Sequence, residues 1–189
     1  ESGDSWIIFN GEIYNFEKLK SQLKKKHIFK SGTDTELLIH LYEEQGEAMV
    51  SSLEGMFAFC IYDSQKKTLF LARDKAGIKP LYYHTQEKKF LFCSEIKGIL
   101  EDARIKREVN TEALPSYLMF RANTTQQTFF KRIFKIPAGH TLRYDLKKHT
   151  LQIKKYWEYL PSPSTISFKE ASNNLRSLLE DSVKGQLMS

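Results

Sequence analysis

Long apolar runs are missing from this sequence, and cysteine is scarce. Two cysteines, Cys60 and Cys93, occur among 189 residues. No run approaches the roughly eighteen apolar residues that a membrane span needs, so we expect no membrane contact. Two cysteines are too few for a disulfide framework, which favours a reducing, cytoplasmic environment. Because each cysteine lies within an apolar run, both are predicted to be small buried side chains.

Clustered metal ligands and a continuous basic face are missing too. The net charge is +6, but the lysines form short separate groups, for example at residues 24–26, 66–67 and 88–89. Such groups are typical of solvated turns, and a nucleic-acid footprint would need them on one face with aromatic residues between them. We therefore expect no nucleic acid and, for lack of any ligand spacing or Cys/His cluster, no metal. The histidines in question are His27, His40, His84, His140 and His149.

The hydrophobic residues that are present make up 41% of the chain, enough for one ordinary core. The first residue is Glu1, and residues 1–5 read as a turn leading into an apolar run at residues 6–9, which predicts a strand. Asn10 and Gly11 follow as a strong turn dipeptide and are expected to end that strand. A chain that opens on a turn between strands suggests that a segment precedes it.

Two helices are predicted next. Asn15 is expected to cap a helix that begins near Phe16. A capping-box pattern, Thr33 with Glu36 three residues later, predicts the start of a second helix, which Gly46 ends. Residues 56–62 are apolar on both faces, as expected for a strand buried between two layers.

Further strands are expected at residues 68–72, 81–84 and 90–93, joined by short turns that favour antiparallel pairing. A helix capped by Asn110 is expected to run through Leu118, and residues 139–146 and 151–157 predict a hairpin. Residues 161–164 (PSPS) indicate a linker. The final amphipathic helix, from Ser167 or Phe168 to near the end, exposes an apolar stripe that calls for a partner.

The string FNGEIYN at residues 9–15 resembles a signature of the class II glutamine amidotransferases, specifically of the asparagine synthetase branch. Five more agree in order and spacing: SGTDTE at 31–36, LEGMFAF at 53–59, ARDKAGIKPLY at 72–82, SEIK at 94–97 and KIPAGH at 135–140. The resemblance implies an N-terminal-nucleophile fold, an α+β sandwich of two mostly antiparallel sheets between helix layers.

The resemblance also implies the site. Asn10, through its side-chain amide, and Gly11, through its backbone N–H, would form the oxyanion hole, while Glu12 and Asp34 would hold the α-ammonium of glutamine. From the residues alone, Asn10 and Gly11 are also compatible with a plain turn, and Asp34 with an acidic residue that complements a helix dipole. In the family a mature N-terminal cysteine attacks glutamine; that cysteine and an arginine-bearing strand belong before Trp6 and are absent from this chain.

We expect residues 1–160 to form an N-terminally incomplete amidotransferase domain, and residues 161–189 a linker and first helix leading into an absent synthetase domain. That domain would bind ATP and magnesium, and no cofactor is expected here. The intact protein would hydrolyse glutamine and pass ammonia on to amidate aspartate, whereas this chain alone is expected to be inactive. A glutamine-binding scaffold and an amidotransferase for another acceptor remain open, as does a homodimer. The turn at Arg73-Asp74 and Lys79-Pro80 is expected to be structural, with a local ion pair.

Overall fold

The computed structural model describes residues 3–24, 26–163 and 165–187 as four layers, helix, sheet, sheet and helix. One sheet has five strands in the order β1-β2-β3-β7-β8, and the other has three in the order β5-β4-β6. Every pairing within both sheets is antiparallel. The strands are β1 Ser5–Ile13, β2 Gly55–Asp63, β3 Thr68–Arg73, β4 Tyr82–Gln86, β5 Lys89–Cys93, β6 Ile133–Lys135, β7 His140–Asp145 and β8 Thr150–Lys155.

Five α-helices and two short 3-10 helices accompany the sheets in the described residues. The α-helices are α1 Phe16–Leu23, α2 Asp34–Gln45, α3 Ile96–Leu100, α4 Leu114–Phe120 and α5 Phe168–Gln186. The 3-10 helices span Gly46–Ser52 and Thr111–Ala113. No helix in the described part of the chain combines the length and the apolar character needed to cross a bilayer.

The core lies on both faces of the five-stranded sheet, as the doubly apolar strand β2 predicts. Phe57, Phe59 and Ile61 of β2 pack on one face with apolar side chains of α1 and α2. Ala58 and Cys60 of β2 point to the other face, where they join residues of the three-stranded sheet. Because successive strand residues alternate between faces, β2 holds the helix layer and the second sheet together.

The predicted turn at Asn10 and Gly11 is wrong. Strand β1 continues through both residues to Ile13, and Asn10 pairs with Ala58 while Gly11 pairs with Phe57. The turn dipeptide is a local preference, and pairing with all nine residues of β2 overrides it. Asn10 and Glu12 consequently lie on the same face of β1, together with the exposed side chains of Trp6 and Ile8.

The starts of α1, α2 and α5 are correctly predicted, whereas the helix expected after Asn110 begins as a 3-10 helix at Thr111 and becomes an α-helix only at Leu114. Two of the three expected caps also work differently. Asn15 precedes α1, but its side chain bonds the backbone of residues 52 and 54 instead of capping the helix. Asn110 likewise donates to the Thr128 carbonyl and does not cap. Thr33 does cap α2 by accepting the N–H of Glu36 at 3.4 Å.

Glu36, the other half of the capping box, bonds the preceding loop. Its carboxylate accepts the N–H groups of Lys30 and Ser31, each at 2.7 Å, as well as the Ser31 hydroxyl. Burial alone would raise the pKa of Glu36, but these donors lower it to about 2. The loop before α2 is therefore fastened to the first turn of that helix, where a negative charge is favourable.

The C-terminal elements match the sequence expectations. Strands β7 and β8 form the predicted hairpin, and Ser167 caps α5 by accepting the N–H of Glu170. None of the side chains described in α5 is buried, so its apolar stripe is exposed. Parts of the expected opening turn, lysine group, linker and chain end fall outside the described residues, namely Glu1, Ser2, Lys25, Ser164, Met188 and Ser189.

Candidate functional site

A cleft of about 420 Å³ opens where the end of β1 meets the start of α2. Its position follows from the chain path, because α1 and the loop before α2 return the chain beside the strand that it has just left. Two of the four predicted site residues line this cleft, and both are carboxylates. The lining residues are Glu12, Ile13, Tyr14, Phe16, Glu17, Gly32, Thr33 and Asp34.

Asp34 is fixed by the helix that it begins. It is the first residue of α2, directly after the Thr33 cap, and its Oδ2 accepts the backbone N–H of Ile13 at 3.3 Å. This bond ties the N-terminus of α2 to the last residue of β1. The remaining carboxylate lone pairs are available to a ligand in the cleft, since Asp34 is only half-buried.

Glu12 reaches the same cleft from the strand side. It lies one residue before Ile13, whose N–H bonds Asp34, and it is half-buried. The structure thus brings together two carboxylates that are far apart in the sequence. Two anionic groups facing one cavity form a natural receptor for an ammonium group.

Asn10 lies outside the lining of this cleft, one strand repeat before Glu12. Residues two apart on a strand share a face and are separated by about 7 Å. The Asn10 side chain is exposed, and its amide donates to the Ser94 hydroxyl at 3.3 Å. Ser94 follows β5, so this contact joins the edge of the five-stranded sheet to the other sheet.

Gly11 permits an unusually close approach of β1 and β2. A Cβ atom at this position would lie 2.2 Å from the Met56 carbonyl oxygen and 2.7 Å from the Phe57 Cα. Gly55 on β2 is restricted in the same way by β1, because a Cβ atom added there would lie 2.2 Å from the Glu12 carbonyl oxygen. Glycine at these two positions lets the backbone beside Asn10 and Glu12 take its observed path.

Asp74 supports the strand opposite Gly11. The fully buried carboxylate accepts the N–H of Phe57 at 3.3 Å and the N–H groups of Ala76, Ile78 and Lys79 at 2.9–3.1 Å. Phe57 is the cross-strand partner of Gly11. The turn after β3 therefore holds β2 in place directly behind the predicted oxyanion donors.

Arg73 does not form the local ion pair expected with Asp74. Its guanidinium donates to the carbonyls of Gly77, Lys79 and Ile136 at 2.6–2.7 Å. Burial lowers the pKa of Arg73 from its ordinary value, and the negative charge of nearby Asp74 offsets that effect only in part. Arg73 and Asp74 each bond backbone groups instead, so the turn is structural, as expected, but by a different bonding pattern.

The two cysteines are poorly placed for nucleophilic chemistry. Cys60 is buried between the sheets, and burial raises the pKa of its thiol to about 12. Cys93 packs against Gly98, where an added Cβ would lie 2.5 Å from its Sγ. Since the thiolate is the reactive form, Cys60 does not fit the role of an activated nucleophile, and neither cysteine lines the cleft of Glu12 and Asp34.

Ser94 and Asp74 are site-supporting residues whose roles the sequence did not reveal. Both lie within motifs that carry the family resemblance, at residues 94–97 and 72–82. Those motifs indicate importance, but the hydrogen bonds of Ser94 to Asn10 and of Asp74 to Phe57 depend on how distant strands meet.

Comparison with known proteins identifies the family. A family model described as a glutamine amidotransferase domain matches residues 1–157, and the chain belongs to that family. It is similar to glutamine-hydrolysing asparagine synthetase 3 of Bacillus subtilis (strain 168), with 40% identity over 190 residues, 99% of this chain and 31% of the relative. A putative glutamine-hydrolysing asparagine synthetase 2 of Methanocaldococcus jannaschii is 35% identical over 191 residues, 100% of this chain and 37% of that relative.

A solved structure supports the fold. The glutamine phosphoribosylpyrophosphate amidotransferase of B. subtilis, in complex with ADP and GMP, has a TM-score of 0.55 at 19% identity, covering 82% of this chain and 30% of that one. The predicted N-terminal-nucleophile fold, with two antiparallel sheets between helix layers, is thereby confirmed. The chain spans about a third of the length of the curated relatives it matches.

Proposed function

We propose that this chain supplies the glutamine-binding part of a glutamine-hydrolysing asparagine synthetase. The observation that carries the proposal is the shared cleft of Glu12 and Asp34. The α-ammonium of glutamine lies between these carboxylates in the proposed complex. A peptide's blocked amine would leave both unpaired, so the pair selects a free amino acid.

The oxyanion donors in this proposal are the Asn10 side-chain amide and the Gly11 N–H. When a thiolate attacks the side-chain amide of glutamine, negative charge develops on the former carbonyl oxygen, and preorganised donors stabilise it. The bond to Ser94 and the support of β2 by Asp74 hold both donors in position. Each such donor is worth about 3 kcal/mol in the transition state.

The nucleophile comes from outside this chain in the proposed reaction. The raised pKa of Cys60 and the packing of Cys93 support that assignment, because neither thiol is both exposed and activated. This polypeptide by itself would therefore bind glutamine without hydrolysing it. In the intact protein, a mature N-terminal cysteine would attack glutamine and release ammonia.

The ammonia would be used by a synthetase domain of the same protein to amidate aspartate at the expense of ATP. Similarity to two glutamine-hydrolysing asparagine synthetases supports this acceptor. The exposed apolar stripe of α5 supports a packing partner beyond the amidotransferase sandwich, with the domain boundary near residue 160. ATP and magnesium belong to that synthetase domain, and no residue of this chain is assigned to them.

The test is glutamine binding by titration calorimetry. Asp34→Asn and Glu12→Gln should each weaken glutamine binding at least tenfold, since a charged hydrogen bond contributes about 1.5–3 kcal/mol. Glu101→Gln, which removes an exposed carboxylate at the end of α3, is the matched control and should leave affinity unchanged. N-acetylglutamine, with its amine blocked, should bind no better than the Asp34→Asn variant binds glutamine.

Two results would contradict the proposal. Equal affinity for glutamine and N-acetylglutamine would remove the proposed role of the carboxylate pair. Release of ammonia from glutamine by the purified chain, abolished by Asn10→Ala, would show that the nucleophile lies within these 189 residues.

A further inference from the structure

A second cluster of polar side chains lies around the middle and end of α2, about two turns beyond Asp34. His27 belongs to the connection between α1 and α2, while His40 and Glu43 lie one turn apart on α2 itself. The Nδ1 atoms of His27 and His40 lie 3.7 and 3.3 Å from Glu43 Oε2. All three side chains offer ligand atoms within 4.8 Å of one another. The two distances to Glu43 are close to those between ligand atoms around a tetrahedral metal ion.

The outer nitrogen of each imidazole faces another carboxylate. His27 Nε2 lies 3.2 Å from Glu44 Oε1, and His40 Nε2 lies 3.7 Å from Glu36 Oε1. Histidine ligands of metals usually direct their second nitrogen to a carboxylate, which fixes the tautomer and strengthens the ligand. His27 therefore has the inner and outer carboxylate partners that metal-ligating histidines have, whereas His40 has a close inner partner and a more distant outer one.

His40 is only 2% exposed, and its Nδ1 lies within hydrogen-bond distance of Glu43 Oε2, at 3.3 Å. Its Nε2, on the far side of the ring, has no hydrogen-bond partner because 3.7 Å is too long for one. The ring packs edge-to-face on Phe29, with 4.8 Å between centroids, and 4.5 Å from the ring of His27. Burying two imidazoles side by side is costly unless a shared partner compensates.

The charge around the rings favours a cation. Glu36, Glu43 and Glu44 all face the pair, and among the residues that the structure describes the Lys26 ammonium, 2.5 Å from Glu44 Oε2, offsets part of their charge. With neutral imidazoles the cluster carries excess negative charge. Two imidazoles and a carboxylate match the preferences of Zn²⁺, while Mg²⁺ prefers oxygen ligands.

We propose that His27, His40 and Glu43 bind one Zn²⁺ ion through the two Nδ1 atoms and the Glu43 carboxylate, with water in the fourth position. The ion would fasten the α1–α2 connection to α2, the helix that begins with Asp34. Its role is structural, and it is independent of glutamine binding. Sequence spacing predicts no metal, because His27 meets the other two ligands only after the connection folds back onto α2.

The experiment uses the tag-free chain, stripped with a chelator and then dialysed against Zn²⁺ or Mg²⁺. We expect elemental analysis to find one zinc per chain and no retained magnesium, and added Zn²⁺ to raise the melting temperature. His27→Gln and Glu43→Gln should each weaken zinc binding at least tenfold. The matched control is His149→Asn, since His149 lies in a hairpin turn at positive φ, which asparagine tolerates.

The test compares the zinc affinity of those variants with that of the unchanged chain. His27 and Glu43 have side chains that are 10% and 22% exposed, so both can be changed with less disturbance than the buried His40. Circular dichroism of the metal-free variants checks that each is folded. Absorption bands of Co²⁺ bound in place of zinc report a tetrahedral site independently of affinity. Zinc content at the buffer level, or equal zinc affinity in His27→Gln, Glu43→Gln and His149→Asn, would overturn the proposal.

Discussion

At the scale of single residues, two glycines on neighbouring strands shape the backbone of the candidate site. Gly11 and Gly55 each lie where a Cβ atom would meet the opposite strand's backbone at 2.2 Å. Backbone atoms in a paired strand cannot move aside as a flexible side chain can. The positions of Asn10 and Glu12, which flank Gly11, therefore depend on the absence of a side chain between them.

Gly11→Ala tests this dependence. We expect the free energy of unfolding to fall by about 2 kcal/mol or more, because the methyl group forces β1 away from β2. Gly32→Ala is the control, since a Cβ atom there meets nothing within 4 Å and should change stability by less than about 0.5 kcal/mol. Urea denaturation measures both. Equal stability of the two variants would show that the strands separate without cost.

At the scale of elements, one buried carboxylate joins a hairpin to a helix. Asp63 ends β2, and its Oδ1 accepts the Lys66 N–H at 2.8 Å in the turn before β3. Its Oδ2 accepts the Tyr42 hydroxyl of α2 at 3.1 Å and pairs with the Lys66 ammonium at 2.8 Å. Burial alone would raise the pKa of Asp63, but the Lys66 ammonium, the Lys66 N–H and the Tyr42 hydroxyl lower it.

Stability should therefore depend on the ionisation of Asp63. Because its folded-state pKa is depressed, the stabilisation is present above the unfolded pKa, near 4, and is lost as pH falls below that value. Asp63→Asn should cost about 1–2 kcal/mol at pH 7 and progressively less in acid. Denaturant titrations from pH 7 down to about pH 3 measure this, with Asp181→Asn in α5 as the control. A difference that stays constant with pH would contradict the assignment.

Some helices and strands could be predicted from the sequence, and others could not. Helix α2 was predictable because its cap and its breaker act locally, and β2 because both of its faces are apolar. The end of β1 was not predictable in this way, because pairing with a strand more than forty residues away overrides the turn preference of Asn10 and Gly11. In the site, Asp34 and Glu12 follow from the family motifs, whereas the Asn10–Ser94 contact depends on how the two sheets meet.

At the scale of the whole molecule, the sandwich and α5 differ in how they are stabilised. The sandwich buries apolar clusters on both faces of its larger sheet. Helix α5 buries none of its described side chains, and Leu175, Leu179 and Val183 remain 55–58% exposed. The helix therefore contributes little to the stability of the rest and leaves an apolar face exposed.

Deleting the residues after Leu160 tests this independence. We expect the shortened chain to unfold cooperatively, with a melting temperature within about 2 °C of the original, because few buried contacts are lost. Near-ultraviolet circular dichroism follows the sandwich, while the far-ultraviolet signal should lose only the helical contribution of α5. A substantially lower melting temperature would mean that α5 packs on the sandwich in solution.

The alternation of side chains along β1 has one more consequence. Ile7, Phe9 and Ile13 enter the core on one face, while Asn10 and Glu12 emerge on the other. If β1 slipped by a single residue against β2, the side chains of Ile7, Phe9 and Ile13 would face water. The Asn10 amide and the Glu12 carboxylate would then face the apolar core. The free-energy penalty for that misalignment falls at once on the three apolar side chains that pack in the core and on the two polar ones. The burial that stabilises the strand therefore also determines the side on which Asn10 and Glu12 lie.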